Sequence, residues 1–337
     1  AIALAVSSIC AILPVLNLGA SVLTGAQRIF SGISVFSLLA IPFFILAGNI
    51  MNNGGIAIRL VNCARLISGR LPGSLAQTNI VANMLFGAIS GSGTAAAAAI
   101  GGTMAPIELE EGYDKDYVAA VNIASAPTGQ LIPPSNTLIV YATVAGSVSV
   151  AALFMAGYIP GIAWGISLMF IAGYMAKKRG YVSTFSVTPK EALKVLWDAL
   201  PSLLLIIIVI GGILKGVFTA TEGSAIAVVY ALILSLCYRS LKIKDLPSII
   251  LSSCKTTCIV IFMIGVSSIM SWVMAYTMIP TAIANAMLSL SSNKYVILLL
   301  MNVILLVVGT FMDPTPAVLI FTPIFLPICQ SFGMDPV

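Results

Sequence analysis

Five consecutive residues, Ser90-Gly91-Ser92-Gly93-Thr94, interleave three hydroxyls with two glycines inside very apolar sequence. Glycine lets the backbone turn sharply, while hydroxyls and freed carbonyls are hard oxygen ligands, the kind that suit Na⁺ and other hard cations. The competing reading is close helix packing through small residues. It is preferred for the all-alanine run 95–99, whereas the hydroxyl–glycine stretch favours ion or substrate binding. A second interruption, GTFMDPTPAVLIFTPIFLP, lies at 309–327. Asp313 stands there between Met312 and Pro314, and a carboxylate within an apolar segment marks a functional site by default. It could instead cap the helix beginning at Pro314, since proline is favoured at the first helical position. With Thr315 beside it, a cation ligand is at least as favoured.

A third stretch, SAPTGQLIPPSNTLIVYA at 125–142, contains Pro127, Gly129, Pro133 and Pro134. Proline removes a donor and clashes with the preceding turn, so one unbroken helix is excluded. Backbone groups freed at bilayer depth are tolerated only where they line a cavity or bind something. Ser135 and Asn136 follow the double proline and face the 90–94 stretch. Asn136 offers one acceptor and two donors. It either caps the helix resuming at Leu138 or binds a ligand, and both can hold because a half-helix N-terminus attracts anions.

The elements that carry these residues follow from composition. The chain has 337 residues, 59% hydrophobic and 8% charged, with a mean hydropathy of +1.09. A soluble domain carries about 25% charged residues, so this is a polytopic membrane protein. Strand alternation is absent, so helices satisfy the backbone and the fold is all-α. The strongest spans are 1–18, 35–51, 150–176, 200–215, 220–238 and 249–279, each near or above the roughly 20 residues a bilayer requires. Ala1 already lies in an apolar helix with no signal-peptide layout, and 335–337 read as a loop. The chain is therefore expected to be a piece of a longer one, trimmed at both ends. There is no histidine, and the six cysteines are scattered. Small apolar packing residues explain the cysteines better than a metal or disulfide. No GxxxxGK[ST] stretch exists for ATP hydrolysis, and the +5 charge reflects topology rather than nucleic-acid binding.

With Lys177, Lys178 and Arg179 taken as cytoplasmic, counting crossings places 13 of the 16 basic residues inside and only Arg28, Lys215 and Lys294 outside. That solution requires 78–111 and 295–330 to be re-entrant hairpins. Pro106, Gly112 and Asp114 match Pro327, Gly333 and Asp335 at one offset of 221 residues. Each hairpin follows a span and a short arm, 54–70 in one case and 281–291 in the other. The first arm is basic and the second uncharged, so the two units have opposite orientation, an inverted-topology repeat. The first repeat is 1–180, ending in a broken helix at 117–146. The second is 198–337. A basic amphipathic segment within 181–197 joins them on the inner surface. Glu222 is expected to cap with Thr219 or Thr221. The cluster Glu108, Glu110, Glu111, Asp114 and Asp116 is expected in a solvated loop, and the three tryptophans as interface anchors or packing groups.

At five segments the chain resembles the large membrane subunit of tripartite ATP-independent periplasmic (TRAP) transporters. These are IPFFILAGNIMNNGG at 41–55, GAISGSGTAAAAAIGG at 87–102, APTGQLIPPSNTLIVYA at 126–142, FTATEGSAIAVVYAL at 218–232 and FMDPTPAVLIFTPIFLP at 311–327. The resemblance implies a Na⁺-coupled secondary importer of carboxylate-bearing solutes in the bacterial inner membrane, not an enzyme. C4-dicarboxylates, sialic acid and other sugar acids fit. It also implies a periplasmic binding protein that delivers the solute and a small membrane subunit, separate or fused. Hairpins and broken helices would move as an elevator against a scaffold. By position, Ser90, Gly91, Ser92, Gly129 and Pro133 look like a first Na⁺ site, and Asp313 and Thr315 like part of a second. Solute is expected between the two tips near Asn136, with Ser135, Gly93 and Thr94. The nearest rival is a symporter of like architecture that needs no binding protein. A channel comes next, and an intramembrane enzyme last, since no nucleophile–base pair is present.

Overall fold

The computed structural model describes residues 2–15, 17–146, 148–181, 187–291 and 293–337, and helices are the only regular secondary structure among them. In chain order they are α1 (Ile2–Ile12), α2 (Leu18–Ile33), α3 (Ala40–Asn53), α4 (Ile56–Ser68), α5 (Ser74–Ser90), α6 (Gly93–Glu110), α7 (Lys115–Ser125) and α8 (Thr128–Leu131). There follow α9 (Asn136–Ala145), α10 (Val150–Arg179), α11 (Pro189–Leu214), α12 (Ala220–Cys237), α13 (Leu246–Tyr276), α14 (Ile279–Leu290), α15 (Lys294–Gly309) and α16 (Pro314–Ser331). Among the described residues, six helical segments are long and apolar enough to cross a membrane: Phe36–Asn53, Val150–Arg179, Pro189–Leu214, Ala220–Cys237, Ile243–Tyr276 and Pro314–Ser331.

Five of these coincide with spans read from the sequence. The sixth expected span, 1–18, is broken instead. Helix α1 stops at Ile12 before Pro14, and Asn17 opens α2 by accepting from the Ala20 N–H at 2.9 Å. Local capping overrides continuous apolarity there. The basic segment 190–197 also differs from expectation. Thr188 and Glu191 form a reciprocal capping box with Pro189 at the first turn, as the sequence suggests. No break then separates this segment from the apolar span, and α11 runs on to Leu214 through Pro201. Residues 182–186 of the expected connector lie outside the described residues.

The helices fall into two units. One comprises 40–138 and 150–254. Within it α3 packs along α12, α4 lies between α5 and α11, and α10 covers α5, α7 and α8. Phe44, Phe86 and Phe154 are its largest fully buried side chains. Lipid is as apolar as leucine, so such contacts stabilise by close packing rather than by transfer from water. A polar tie adds to them. Arg59 on α4 pairs with Asp198 on α11 at 3.3 Å and stacks over the Tyr238 ring at the end of α12, 3.5 Å from its centroid. The other unit comprises 1–39, 139–149 and 255–337. Ile12, Ile269 and Val273 form one of its clusters, and Met287, Ile297, Met301 and Ile328 join α14, α15 and α16 in another.

Glu222 caps α12 as expected. Its carboxylate accepts from the Thr219 N–H at 2.7 Å, and the Thr219 hydroxyl accepts from the Glu222 N–H at 3.3 Å. Thr219→Ala should therefore cost about 1 kcal/mol, seen as a lower melting temperature with uptake retained. An unchanged melting temperature would contradict the capping role.

Candidate functional site

Helices α5 and α6 form a hairpin, and its turn is the predicted hydroxyl–glycine stretch. Ser90 ends α5 and is buried. Gly91 takes a left-handed conformation (φ +63°), and its N–H closes the last turn on the Gly87 carbonyl at 2.9 Å. A side chain at Gly91 would be strained, and its Cβ would stand 2.7 Å from the Pro134 carbonyl oxygen. Ser92 starts α6 by accepting from the Ala95 N–H at 3.3 Å, and its hydroxyl lies 3.1 Å from that of the exposed Thr94. The Ser90 hydroxyl donates to the Ser92 carbonyl at 3.4 Å. Gly93 is buried against the Ala126 carbonyl and Gln130.

The second wall is the broken helix. Helix α7 ends at Ser125, the single turn α8 ends at Leu131, and α9 resumes at Asn136 after Pro133 and Pro134. The predicted unwinding is present, and the unwound segment meets the hairpin turn directly. The Asn136 N–H donates to the Gly91 carbonyl at 3.2 Å. Gly129 on α8 lies against Gly87 on α5 so closely that a Cβ on Gly87 would stand 2.0 Å from the Gly129 Cα. Thus Ser90, Gly91, Ser92, Gly93, Thr94, Gly129, Pro133, Ser135 and Asn136 lie along one junction. Its acceptors are hydroxyl, amide and carbonyl oxygens, with no carboxylate among these nine residues.

The cap of α9 differs from expectation. Ser135, fully buried, accepts from the Leu138 N–H at 3.3 Å and donates to the Gln130 carbonyl. Asn136 is therefore not the side-chain cap. Its Oδ1 is buried without a hydrogen-bond partner among the described residues. A buried acceptor left unpaired costs free energy.

Asp313 and Thr315 belong to the other unit. Asp313 is exposed, and Oδ1 accepts from the Thr315 N–H at 3.1 Å, capping α16 with Pro314 at its first position. Both capping and a free second carboxylate oxygen are compatible with one side chain.

Sequence reasoning missed a polar core inside the hairpin. Glu108, expected in a solvated loop, is completely buried near the end of α6. It sits four residues after buried Met104, on the inner face, whereas Glu110 and Glu111 point outward. That helical phase was the available signal. The Asn79 amide donates to its two oxygens at 3.4 and 3.3 Å. Asn83, one turn further along α5, donates to Asn79 at 2.8 Å, Asn122 at 3.2 Å and Ser125 at 2.9 Å. Burial pushes the Glu108 carboxyl up to about 7, with the Asn79 amide pulling the other way. Burial likewise pushes the nearby Tyr113 phenol up.

Among the described residues no group of three or more His, Cys, Asp or Glu could hold a metal ion. Membrane-crossing helices with a glycine-tipped hairpin against an unwound helix define a multi-pass membrane protein of the transporter class. Residues 1–337 match the family described as tripartite ATP-independent periplasmic transporter, DctM component, and the chain belongs to that family. It is thus a transporter component rather than an enzyme. It is 54% identical over 99% of its length to a Salmonella typhimurium protein called uncharacterized protein YgiK, covering 77% of that chain. It is 37% identical to the Vibrio cholerae sialic acid TRAP transporter large permease protein SiaM, with 93% and 73% of the two chains covered. The Alcanivorax borkumensis YdaH transporter shares the fold at a TM-score of 0.57 and 14% identity, over 91% of this chain and 72% of that one.

Proposed function

We propose that this subunit performs Na⁺-coupled secondary import of a carboxylate-bearing solute across the bacterial inner membrane. A periplasmic binding protein delivers the solute, and a small membrane subunit, separate or fused, braces the permease. Ser90, Gly91, Ser92, Gly129 and Pro133 hold one Na⁺, while Asp313 and Thr315 contribute to a second. Asn136, with Ser135, Gly93 and Thr94, meets the solute. The observation that carries this reading is Asn136, whose N–H meets the turn at Gly91 and whose buried Oδ1 has no hydrogen-bond partner among the described residues. Na⁺ at the turn would order it and raise affinity for an anion at the adjoining half-helix N-terminus, a coupling free energy between two sites.

Correspondence between the two hairpins supports the inverted repeat of 1–180 and 198–337, the segment 181–197 joining them. Helices α6 and α16 each have 18 residues, and an offset of 221 superposes their ends. It also pairs Ser92 with Asp313, each capping its helix. Both helices end in a left-handed glycine, Gly112 (φ +83°) and Gly333 (φ +72°). The same two backbone bonds close each end, from Gly112 to Leu109 and Tyr113 to Glu108, and from Gly333 to Gln330 and Met334 to Cys329. Re-entrant hairpins of this kind, carried with the broken helix, are the moving part of an elevator. The relative named for sialic acid is consistent with a sugar acid as solute.

Asn136→Leu separates binding from folding. Leucine removes an unsatisfied buried oxygen while Ser135 keeps the cap, so the melting temperature should hold or rise. Uptake should fall tenfold or more, about 1.4 kcal/mol of lost binding or coupling. Undiminished uptake would place the solute elsewhere.

A further inference from the structure

We propose that Glu108, with the amide chain running from it through Asn79 and Asn83 to Ser125, forms an internal proton-binding site in the first hairpin, separate from the Na⁺ and solute residues. The proton is bound and released as the hairpin works. Three observations converge on it. Glu108 has no exposed surface, and among the described residues its carboxylate meets one donor, the Asn79 amide, at hydrogen-bond lengths beyond the optimum. No cation pairs with it among the described residues. An anion so placed is strongly disfavoured, and the group takes a proton instead. Its immediate neighbour is an amide donor rather than a ring of converging oxygens, which suits a carboxyl group and not a metal ion.

The second observation is Asn83 Oδ1, completely buried and without a partner among the described residues. Asn83 is the next link after Asn79, so the chain from Glu108 holds an acceptor with nothing to accept. The third is continuity. Ser125 receives from Asn83, and the Thr128 hydroxyl donates to the Ser125 carbonyl at 2.6 Å, one residue before Gly129. A connected line of polar groups thus leads from the hairpin's base to the helix break, and such lines transmit a change at one end to the other.

The titratable and charged groups on the surrounding elements are Glu110 on α6, Glu111, Tyr113 and Asp114 in the following loop, and Lys115, Asp116 and Tyr117 on α7. Arg59, Cys63 and Arg65 lie on α4, Lys177, Lys178 and Arg179 at the end of α10, and Tyr181 just beyond it. Tyr113 and Tyr117 both feel the Glu108 charge, which opposes their ionisation. Because the Glu108 carboxyl is raised above its ordinary value, its contribution to stability is complete at acid pH. It is lost as pH rises through about 7.

The test is the melting temperature of the purified full-length subunit from about pH 5 to about pH 9, a window that brackets the titration. It is paired with uptake at a fixed Na⁺ gradient over the same range. Wild type should melt lower as pH passes through neutrality. Glu108→Gln, isosteric and always neutral, should lose that inflection and show a flat uptake profile. Asn79→Leu removes the amide that favours the anion, so its inflection should move up by about half a pH unit or more. A Glu108→Gln curve that tracks wild type overturns the proposal. If that variant does not fold, an unmoved inflection in Asn79→Leu overturns it. Melting requires neither Na⁺ nor solute, so failure here is distinct from failure of the import reading.

Discussion

Gly129→Ala is expected to abolish uptake and to lower the yield of folded protein. A Cβ there would stand 2.5 Å from the Gly87 Cα, and the reciprocal change at Gly87 would bring it within 2.0 Å of the Gly129 Cα. The colliding atoms are main chain on both sides, so no rotamer change relieves them. Overpacking costs about 1–3 kcal/mol where side chains can yield, and more where they cannot. Separating α5 from α8 would also pull the Gly91 carbonyl from the Asn136 N–H. Gly102→Ala is the control. It lies in α6 with nothing within 4 Å of its would-be Cβ, so alanine should stabilise by up to about 1 kcal/mol through helix propensity. Melting temperatures of the two variants check both statements. A Gly129→Ala protein that melts and transports like wild type would mean the two helices are not in contact.

Asp313→Asn should lower uptake at saturating binding protein by tenfold or more while leaving the melting temperature within about a degree or two of wild type. Asparagine caps a helix about as well as aspartate, so the bond to the Thr315 N–H survives. What disappears is the negative charge, and with it the attraction for a cation. Asp313→Ala removes both and should add a stability loss of about 1 kcal/mol. The pair therefore decides between the two roles compatible with the observed geometry. Uptake retained in asparagine and lost in alanine would make Asp313 a cap alone. The sodium dependence of residual uptake gives a second readout, since weaker Na⁺ binding moves half-saturation to higher concentration.

Much of this was legible because membrane chains advertise their helices. Apolar length predicted five of the spans, and Gly and Pro marked the turn at 91 and the break at 133–134. The failures trace to a local hydrogen bond, to helical phase, or to a contact distant in sequence. Asn17 captures the Ala20 N–H and splits the first apolar run, although hydropathy is continuous across it. Ser135 rather than Asn136 caps α9, a one-residue distinction that propensity does not resolve because both are good caps. Glu108 was grouped with its acidic neighbours by composition, whereas helical phase turns it inward onto Asn79. The Gly87–Gly129 contact joins residues 42 apart and leaves no mark beyond the glycines themselves.

The central claim is sodium coupling, and its most direct test is solute uptake into proteoliposomes. These would contain the full-length subunit, its small membrane partner and a cognate binding protein, with and without an inward Na⁺ gradient. The account predicts accumulation only when both the gradient and the binding protein are present, and its loss in Ser92→Ala. Accumulation that proceeds equally without Na⁺ would contradict it, and would leave the hydroxyls at the hairpin turn as helix caps alone.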